Sequence, residues 1–208
     1  MLCLGALSAC TLQDVFTLTN QHCFASVKDG ALVDDSGYAA NITESAVPES
    51  TWKVEGARWY VSYDILNRNY DVKLTAVEAS TVAPTEPLPE DLQPGGPMAV
   101  GENSVTGKYF NIRISHSRKK GSDYPYSAKL FYSVPTIGTG LNFRLVVDDN
   151  GENLLNFKED ELETAWLVYS FKIDDLLEEG RQYTFQVTWD YLVYSEGKYL
   201  VLQNQETI

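Results

Sequence analysis

The sequence predicts an all-β protein of two domains, and three observations support this prediction. Apolar and polar residues alternate with a period of two along many short segments, aromatic residues make up 12% of the chain, and five of the eight prolines fall within residues 81–98. Alternation is typical of strands, on which aromatic side chains pack well. Clustered prolines indicate a linker, because proline fixes φ and donates no backbone hydrogen bond. We therefore predict domains at 22–80 and 98–208, joined by a linker at 81–97 that takes no part in a central strand.

The first domain, residues 22–80, contains five predicted strands: 24–28, 31–33, 37–42, 58–66 and 70–77. Asp29-Gly30 is a strong two-residue hairpin signal, and residues 67–69 form a second tight turn. Five strands in so few residues favour a small closed barrel, since closure removes exposed sheet edges. Apolar residues are assigned to the inner face of the last two strands: Trp59, Val61, Tyr63 and Ile65, then Tyr70, Val72, Leu74 and Ala76.

The second domain, residues 98–208, shows stronger alternation. About seven strands separated by turn signals predict an antiparallel β-sandwich. Phe110, Ile112 and Ile114 are expected to face the core, with Asn111, Arg113 and Ser115 on the opposite face. Helical signal is confined to two short segments, 158–163 and 174–179, the second with Asp174 as its N-cap.

The N-terminus suggests a lipid anchor. Leu7-Ser8-Ala9-Cys10 resembles a lipobox, in which small residues precede the cysteine that receives a diacylglycerol group. Residues 1–10 then form a partial signal sequence, whose start we expect to lie upstream because no basic residue precedes the apolar stretch. Residues 11–21 form a polar tether. With Cys3 removed and Cys10 acylated, Cys23 is a lone thiol, which we expect to be buried and inert.

Several segments, in this order, resemble the NigD-like lipoproteins of Bacteroidota. They are the lipobox at Cys10, residues 59–66 and 70–74, Gly107-Lys-Tyr-Phe-Asn-Ile112 beyond the prolines, and Tyr183-Thr-Phe-Gln-Val187. The resemblance implies an OB-like barrel followed by an immunoglobulin-like sandwich. It also implies an outer-membrane lipoprotein that faces the periplasm or the cell exterior. The family supplies no catalytic residues to carry over.

The net charge of −13 restricts the partners. Both parts of the chain are acidic, with −8 in residues 1–97 and −5 in residues 98–208. A negative field repels phosphate backbones and anionic lipid surfaces. Nucleic acid is therefore not expected as a partner, even for an OB-like domain, and membrane contact is expected only through the lipid anchor. The oligomeric state is left open.

Residues that could carry catalysis are few. His22 precedes Cys23 and Ser115 precedes His116, but neighbours on a strand point to opposite faces, so neither pair provides a nucleophile with its base. The sequence contains no hydrolase, phosphate-binding or paired-cysteine zinc motif. We therefore predict no cofactor, no metal and no enzymatic activity. A glycosidase using two carboxylates is a minor alternative, with Asp64, Asp71 and Asp190 as strand-borne acids.

Three surface features are weighed as binding sites. Residues 148–153 could bind calcium, but a hairpin turn explains the same residues. The basic residues Arg118, Lys119 and Lys120 could seat an acidic glycan, but they also suit a solvated loop. Aromatic residues off the main apolar faces could form a sugar platform: Trp52, Tyr60, Trp166 and Tyr194.

These observations predict a non-enzymatic envelope lipoprotein that binds a protein or glycan partner, anchored in the outer membrane through Cys10. An immunity-type or stress-protective lipoprotein is the alternative that family analogy suggests.

Overall fold

A computed structural model describes residues 17–93, 95–122, 126–135, 140–148, 158–195 and 198–207. These residues fold almost entirely into strands, which confirms the predicted all-β class. Residues 1–16, with the predicted lipidation site Cys10 and most of the tether, lie outside the described residues. None of the helices within the described ranges has the length and apolar character that crossing a bilayer requires.

The first domain is an OB-like barrel of five strands. Its sheet order is β2-β1-β4-β5-β3, with β3 parallel to β5. A bridge between Val33 and Ala39 brings β2 against the segment that leads into β3 and so closes the barrel. The strands are β1 Leu18–Lys28, β2 Ala31–Asp34, β3 Asn41–Ser45, β4 Arg58–Ile65 and β5 Asp71–Ala79.

The predicted turns of the barrel are present, and one strand differs from its predicted facing. Asp29 and Gly30 have φ values of 50° and 73°, the left-handed pair that a two-residue hairpin requires. In β5, Ser62 pairs with Ala76 while Tyr63 pairs with Leu74, so Thr75 is an extra residue in a bulge. The bulge reverses the alternation beyond it. Ala76 was predicted to face inward, but it is exposed.

A short helix, α1 at Glu49–Trp52, closes one end of the barrel. The indole of Trp52 is buried in the same cluster as Ala25, Leu32, Val61 and Leu74. This segment shows no helical periodicity, because four residues are too few to show one. Trp52 therefore fills the barrel interior at the end where α1 lies. Among the described residues, no large side chain fills the opposite end in the same way.

The second domain is a curled eight-stranded sheet whose two halves face each other across a core. Its order is β13-β12-β10-β9-β6-β11-β8-β7. The strands are β6 Thr81–Pro87, β7 Met98–Val105, β8 Tyr109–Lys119, β9 Ser127–Ser133, β10 Gly140–Asp148, β11 Leu162–Lys172, β12 Thr184–Ser195 and β13 Lys198–Thr207. Short 3-10 helices at Glu159–Glu161 and Asp174–Leu176 lie in the two segments predicted as helical.

Strand β6 corrects the prediction for the proline-rich segment. Residues 81–87 are not linker, because residues 81–84 pair with β11 and residues 85–87 pair with β9 in the middle of the sheet. The strand passes from one half of the sandwich to the other at this point. Pro84 and Pro87 each occupy the last paired position of their part of β6, where a missing N–H donor is tolerated.

The pairing in the sandwich is mixed and not purely antiparallel as predicted. Strand β6 is parallel to both of its neighbours, and β10 is parallel to β12. The chain leaves β10, forms β11 in the other half of the sandwich and then returns, so β12 runs in the same direction as β10. Alternation within a strand reports its facing, but it carries no information on the direction of its neighbour.

The predicted core of the sandwich is confirmed. Phe110, Phe143 and Phe171 are fully buried, and the ring centroid of Phe143 lies 5.7 Å from that of Phe110 and 5.8 Å from that of Phe185. Phe110 belongs to one half of the sheet and Phe143 to the other. The rings therefore hold the two halves together.

The barrel docks on the outer face of β8 and β11 through Arg58. Its guanidinium donates hydrogen bonds to Ser170 at 2.6 Å, to Asn111 at 2.7 Å and to Asp35 at 2.6 Å. It also lies over the ring of Tyr109 at 4.0 Å. Asn111, predicted to lie on the face opposite Phe110 and Ile112, is completely buried because the barrel covers it.

Candidate functional site

The end of the barrel opposite α1 opens into a cavity of about 430 Å³. This volume lies within the range of small-molecule sites. Its floor is the barrel core, where Leu32, Val61 and Leu74 are each no more than 3% exposed. Further apolar side chains form the wall: Ala25, Ala40, Ile42, Ile65 and Val72.

The cavity exists because several inward positions carry small side chains. Cys23 and Ala25 of β1 and Ala40 before β3 all line it. In a barrel of this size larger side chains usually fill the interior. Small inward residues therefore leave space between walls that the strand pairing holds apart.

Two tyrosines stand at the rim. Tyr38 and Tyr70 are each 53% exposed, and their rings meet edge to face with centroids 6.5 Å apart. Tyr70 has φ of 60°, a left-handed conformation that is uncommon for an aromatic residue. It ends the turn after β4, where its N–H donates to Asn67 O and Leu66 N–H donates to Asp71 O. Strained backbone of this kind is often retained where it positions a functional side chain.

Asp34 supplies the negative charge at the cavity. Its Oδ1 accepts hydrogen bonds from the Ser36 hydroxyl and the Tyr38 N–H, both at 2.8 Å. The same contacts hold the loop that carries Tyr38 over the opening. The lining residues include neither lysine nor arginine, so this carboxylate determines the charge of the opening.

Deeper in the cavity the thiol of Cys23 and the hydroxyl of Tyr63 lie close together. Burial, with a smaller contribution from the charge of Asp34, raises the pKa of Cys23 from 9.0 to about 11. Burial and the contact with Cys23 raise the pKa of Tyr63 to about 12. Both groups are neutral at physiological pH, as an apolar site requires.

We expect Cys23 to be alkylated slowly at pH 8. A pKa raised from 9.0 to about 11 leaves about 100-fold less thiolate. A more basic thiolate is also more nucleophilic, which raises its own rate constant about tenfold. The folded protein should therefore react roughly tenfold more slowly than the unfolded chain. The measurement is the rate of iodoacetamide labelling in the Cys3→Ser/Cys10→Ser background, with and without urea. Equal rates in the two states would contradict this environment for the thiol.

The sequence interpretation did not identify this cavity. Alternation placed Val61, Tyr63, Ile65 and Val72 on the inner face, and the structure confirms that placement. It did not predict that the interior is left partly empty, or that the loop with Asp34 and Tyr38 forms the rim. The available signal was the small size of the inward residues Cys23, Ala25 and Ala40.

The histidines and their neighbours are arranged as predicted. Cys23 lines the cavity, whereas the ring of His22 stacks on Tyr60 outside the barrel and its Nδ1 lies 2.9 Å from the hydroxyl of Ser62. His116 is buried, and burial lowers its pKa below the usual range. In these pairs the structure brings together no nucleophile and base.

The acids singled out for glycosidase chemistry are engaged in separate contacts. Asp64 accepts from the N–H of Asn20, Asp71 accepts from Asn41 and Asn67, and Asp190 pairs with Arg144. Asp190 is buried in this ion pair, whereas Asp64 and Asp71 make their contacts in the barrel domain. Over the described ranges, no group of three or more His, Cys, Asp or Glu side chains could hold a metal ion.

Two residues of the basic segment 118–120 also make contacts within the protein. Arg118 pairs with Glu163 at 2.8 Å, and the ammonium of Lys120 donates to the carbonyl of Asp160 at 2.7 Å. Of residues 148–153, weighed above as a calcium loop or a hairpin turn, Asp148 ends β10 and residues 149–153 lie outside the described residues.

The aromatic residues proposed as a sugar platform do not share one surface. Trp52 lies inside the barrel, and Tyr60 is buried between the domains, where its hydroxyl donates to Glu102. Trp166 is 48% exposed with the guanidinium of Arg113 stacked 3.9 Å from its ring. Tyr194 belongs to β12, and its side chain lies outside the described residues.

Solved structures with the same fold span nearly the whole chain. A protein of unknown function, DUF1344, from Bacteroides vulgatus is 17% identical, with a TM-score of 0.60 over 92% of this chain and 91% of its own. A NigD-like immunity protein from Bacteroides caccae is 13% identical, with a TM-score of 0.59 over 89% of this chain and 92% of its own. A "putative lipoprotein" from Bacteroides fragilis is 13% identical, with a TM-score of 0.52 over 90% of this chain and 97% of its own.

These likenesses establish the fold, and they confirm the resemblance to NigD-like proteins at that level. No protein-family model matches the sequence, and no curated protein matches it.

Proposed function

We propose that the protein is a non-catalytic binding module of the bacterial cell envelope, and that the open end of the barrel holds an apolar group of its ligand. The observation that carries this proposal is the cavity of about 430 Å³, with apolar walls and a rim of exposed tyrosines. A concave apolar site with a few polar groups at its edge is the usual form of a ligand site.

The hydroxyl–imidazole contact described above, between Ser62 and His22, lies outside the cavity, and no histidine is among the residues that line the cavity, which supports a binding role for it. The thiol in the cavity has a pKa of about 11, so it is a poor nucleophile at neutral pH. A binding protein needs only the shape and polarity of the site, both of which the barrel provides.

Of the partner classes expected from the sequence, the site fits a partner that inserts an apolar group better than it fits a glycan. A sugar would leave hydroxyl groups facing Leu32, Val61 and Leu74, whose side chains offer no hydrogen-bond partner. Unpaired polar groups are costly to bury. An apolar chain or side chain in the same place gains from every methylene that leaves water.

The location we propose is the outer membrane, on its periplasmic or external face, with Cys10 carrying the lipid. Fold neighbours described as a lipoprotein and as an immunity protein support an envelope location. An immunity-type role is the second candidate, and the NigD-like fold neighbour favours it. In that role the barrel would bind an apolar segment of the toxin, and expression of the protein would protect a sensitive strain.

The experiment that tests the binding role compares two alanine-to-phenylalanine variants. Ala40→Phe places a ring in the cavity, and Ala76→Phe places the same ring on the outer face of β5. We expect an apolar fluorescent probe such as N-phenyl-1-naphthylamine to bind the unsubstituted protein and Ala76→Phe equally, and Ala40→Phe at least tenfold more weakly. Circular dichroism verifies that both variants fold. Equal binding by all three proteins would overturn the proposal.

A further inference from the structure

We propose that the barrel cavity holds the single alkyl chain of an amphiphile whose head group bears an ammonium, with that head group at the rim formed by Asp34, Tyr38 and Tyr70. This inference rests on the proposed function and names the chemistry of its ligand.

The polarity of the cavity changes from its floor to its opening. The floor and most of the wall are aliphatic, whereas the ionised and exposed polar groups are at the opening. The ligand that matches this distribution has an apolar end that enters and a polar end that stays at the surface. A volume of about 430 Å³ suits one unbranched chain rather than a two-chain lipid.

The charge at the opening is negative. Asp34 stands at the opening with Oδ1 occupied by Ser36 and Tyr38, and no lysine or arginine lines the cavity. The chain as a whole carries −13. A carboxylate or sulfate head group would meet this field unfavourably, whereas an ammonium would be attracted.

The rim of the cavity is aromatic. Tyr38 and Tyr70 expose about half of their surface and meet edge to face, which leaves ring faces free to contact a cation. Aromatic rings bind quaternary ammonium groups through their quadrupole. The left-handed backbone of Tyr70 holds one of these rings at the opening.

The position of the cavity relative to the chain start fits a ligand that comes from a membrane. Leu18, the first residue of β1, pairs with Ile65 of the cavity wall and is 42% exposed. Cys10 precedes Leu18 by eight residues, a distance of no more than about 29 Å for an extended chain. A lipid on Cys10 would therefore keep the opening close to the bilayer surface, where tyrosine rings are favoured.

The test uses three twelve-carbon amphiphiles below their micelle concentrations: dodecyltrimethylammonium, dodecylphosphocholine and dodecyl sulfate. Affinities are measured by calorimetry at about 0.15 M salt, where distant charges are screened. Protection of Cys23 from alkylation reports occupancy of the cavity itself. We expect dodecyltrimethylammonium and dodecylphosphocholine to bind at least tenfold more tightly than dodecyl sulfate and to slow alkylation of Cys23.

Asp34→Asn keeps the acceptor oxygen for Ser36 and Tyr38 and removes the charge. We expect it to lower the preference for dodecyltrimethylammonium over dodecyl sulfate about tenfold, whereas Glu44→Gln on the exposed surface of β3 leaves the preference unchanged. Ala40→Phe should abolish protection of Cys23 by all three amphiphiles. Equal affinities for the three head groups, or a preference that survives Asp34→Asn, would overturn this inference.

The two proposals fail differently. If Ala40→Phe blocks the neutral probe but the head groups are not distinguished, the cavity is a binding site and the ammonium inference is wrong. If cationic amphiphiles bind Ala40→Phe as tightly as the unsubstituted protein, the attraction is a general effect of the acidic surface and the inference is overturned. If no probe depends on Ala40, both proposals fall.

Discussion

Replacing Arg58 by alanine should lower the free energy of unfolding by about 3–5 kcal/mol, because it leaves buried partners without a charge or a donor. The Arg58 side chain is 2% exposed and its ion-pair partner Asp35 is 17% exposed. Asn111, which also bonds Asp35 at 2.7 Å, is completely buried. The measurement is urea denaturation followed by tryptophan fluorescence and by circular dichroism.

A matched control is available in Arg118→Ala, which removes an ion pair whose side chains are 37% and 36% exposed. Such surface pairs contribute about 0–1 kcal/mol. Arg58→Lys should recover little stability, since an ammonium cannot reproduce the guanidinium contacts with Ser170, Asn111 and the ring of Tyr109. A loss below 1 kcal/mol for Arg58→Ala would show that this contact does not hold the barrel to the sandwich.

Phe143→Ala should destabilise the protein by about 3–5 kcal/mol, the usual cost of removing a buried aromatic ring. The Phe143 side chain is 1% exposed and contacts both Phe110 and Phe185. For a chain of this size we expect the melting temperature to fall by roughly 10 °C. Thermal melting by circular dichroism measures the change.

Val134→Ala is the control for this substitution, because Val134 is an apolar residue that is 67% exposed. The Val134→Ala substitution should change the free energy of unfolding by less than about 0.5 kcal/mol. If Phe143→Ala were no more harmful than Val134→Ala, the two halves of the sandwich would not share the core described above.

The strands were largely predictable from the sequence because one face of each is apolar. In β4 the alternation correctly placed Val61, Tyr63 and Ile65 inside the barrel. In β8 it correctly placed Phe110, Ile112 and Ile114 in the core. A period of two reports which residues share a face, and burial of one face enforces it.

What the same pattern cannot report is whether the polar face meets water or another domain. Asn111 and Arg58 both alternate with apolar neighbours, as solvated residues do, yet both are buried where the barrel meets β8. Their polar side chains satisfy one another across the junction. The contact between the domains could therefore not be predicted from the alternation within either domain.

The proline-rich segment shows a second limit of sequence reasoning. Proline excludes a hydrogen bond at its own nitrogen only, and β6 places Pro84 and Pro87 where pairing to one neighbour ends. The cavity shows a third limit. Its walls were predicted as inward residues, but an unfilled interior depends on the summed volume of residues from all five strands and the loop at Asp34.

Native mass spectrometry of the protein purified from its own cell envelope tests most directly the claim that the open barrel end is a binding site. We expect a bound small molecule on the unsubstituted protein and on Ala76→Phe, with a mass equal to that of one single-chain amphiphile. We expect Ala40→Phe, with the cavity filled, to be isolated without this adduct. The same adduct on all three proteins, or on none, would contradict the account.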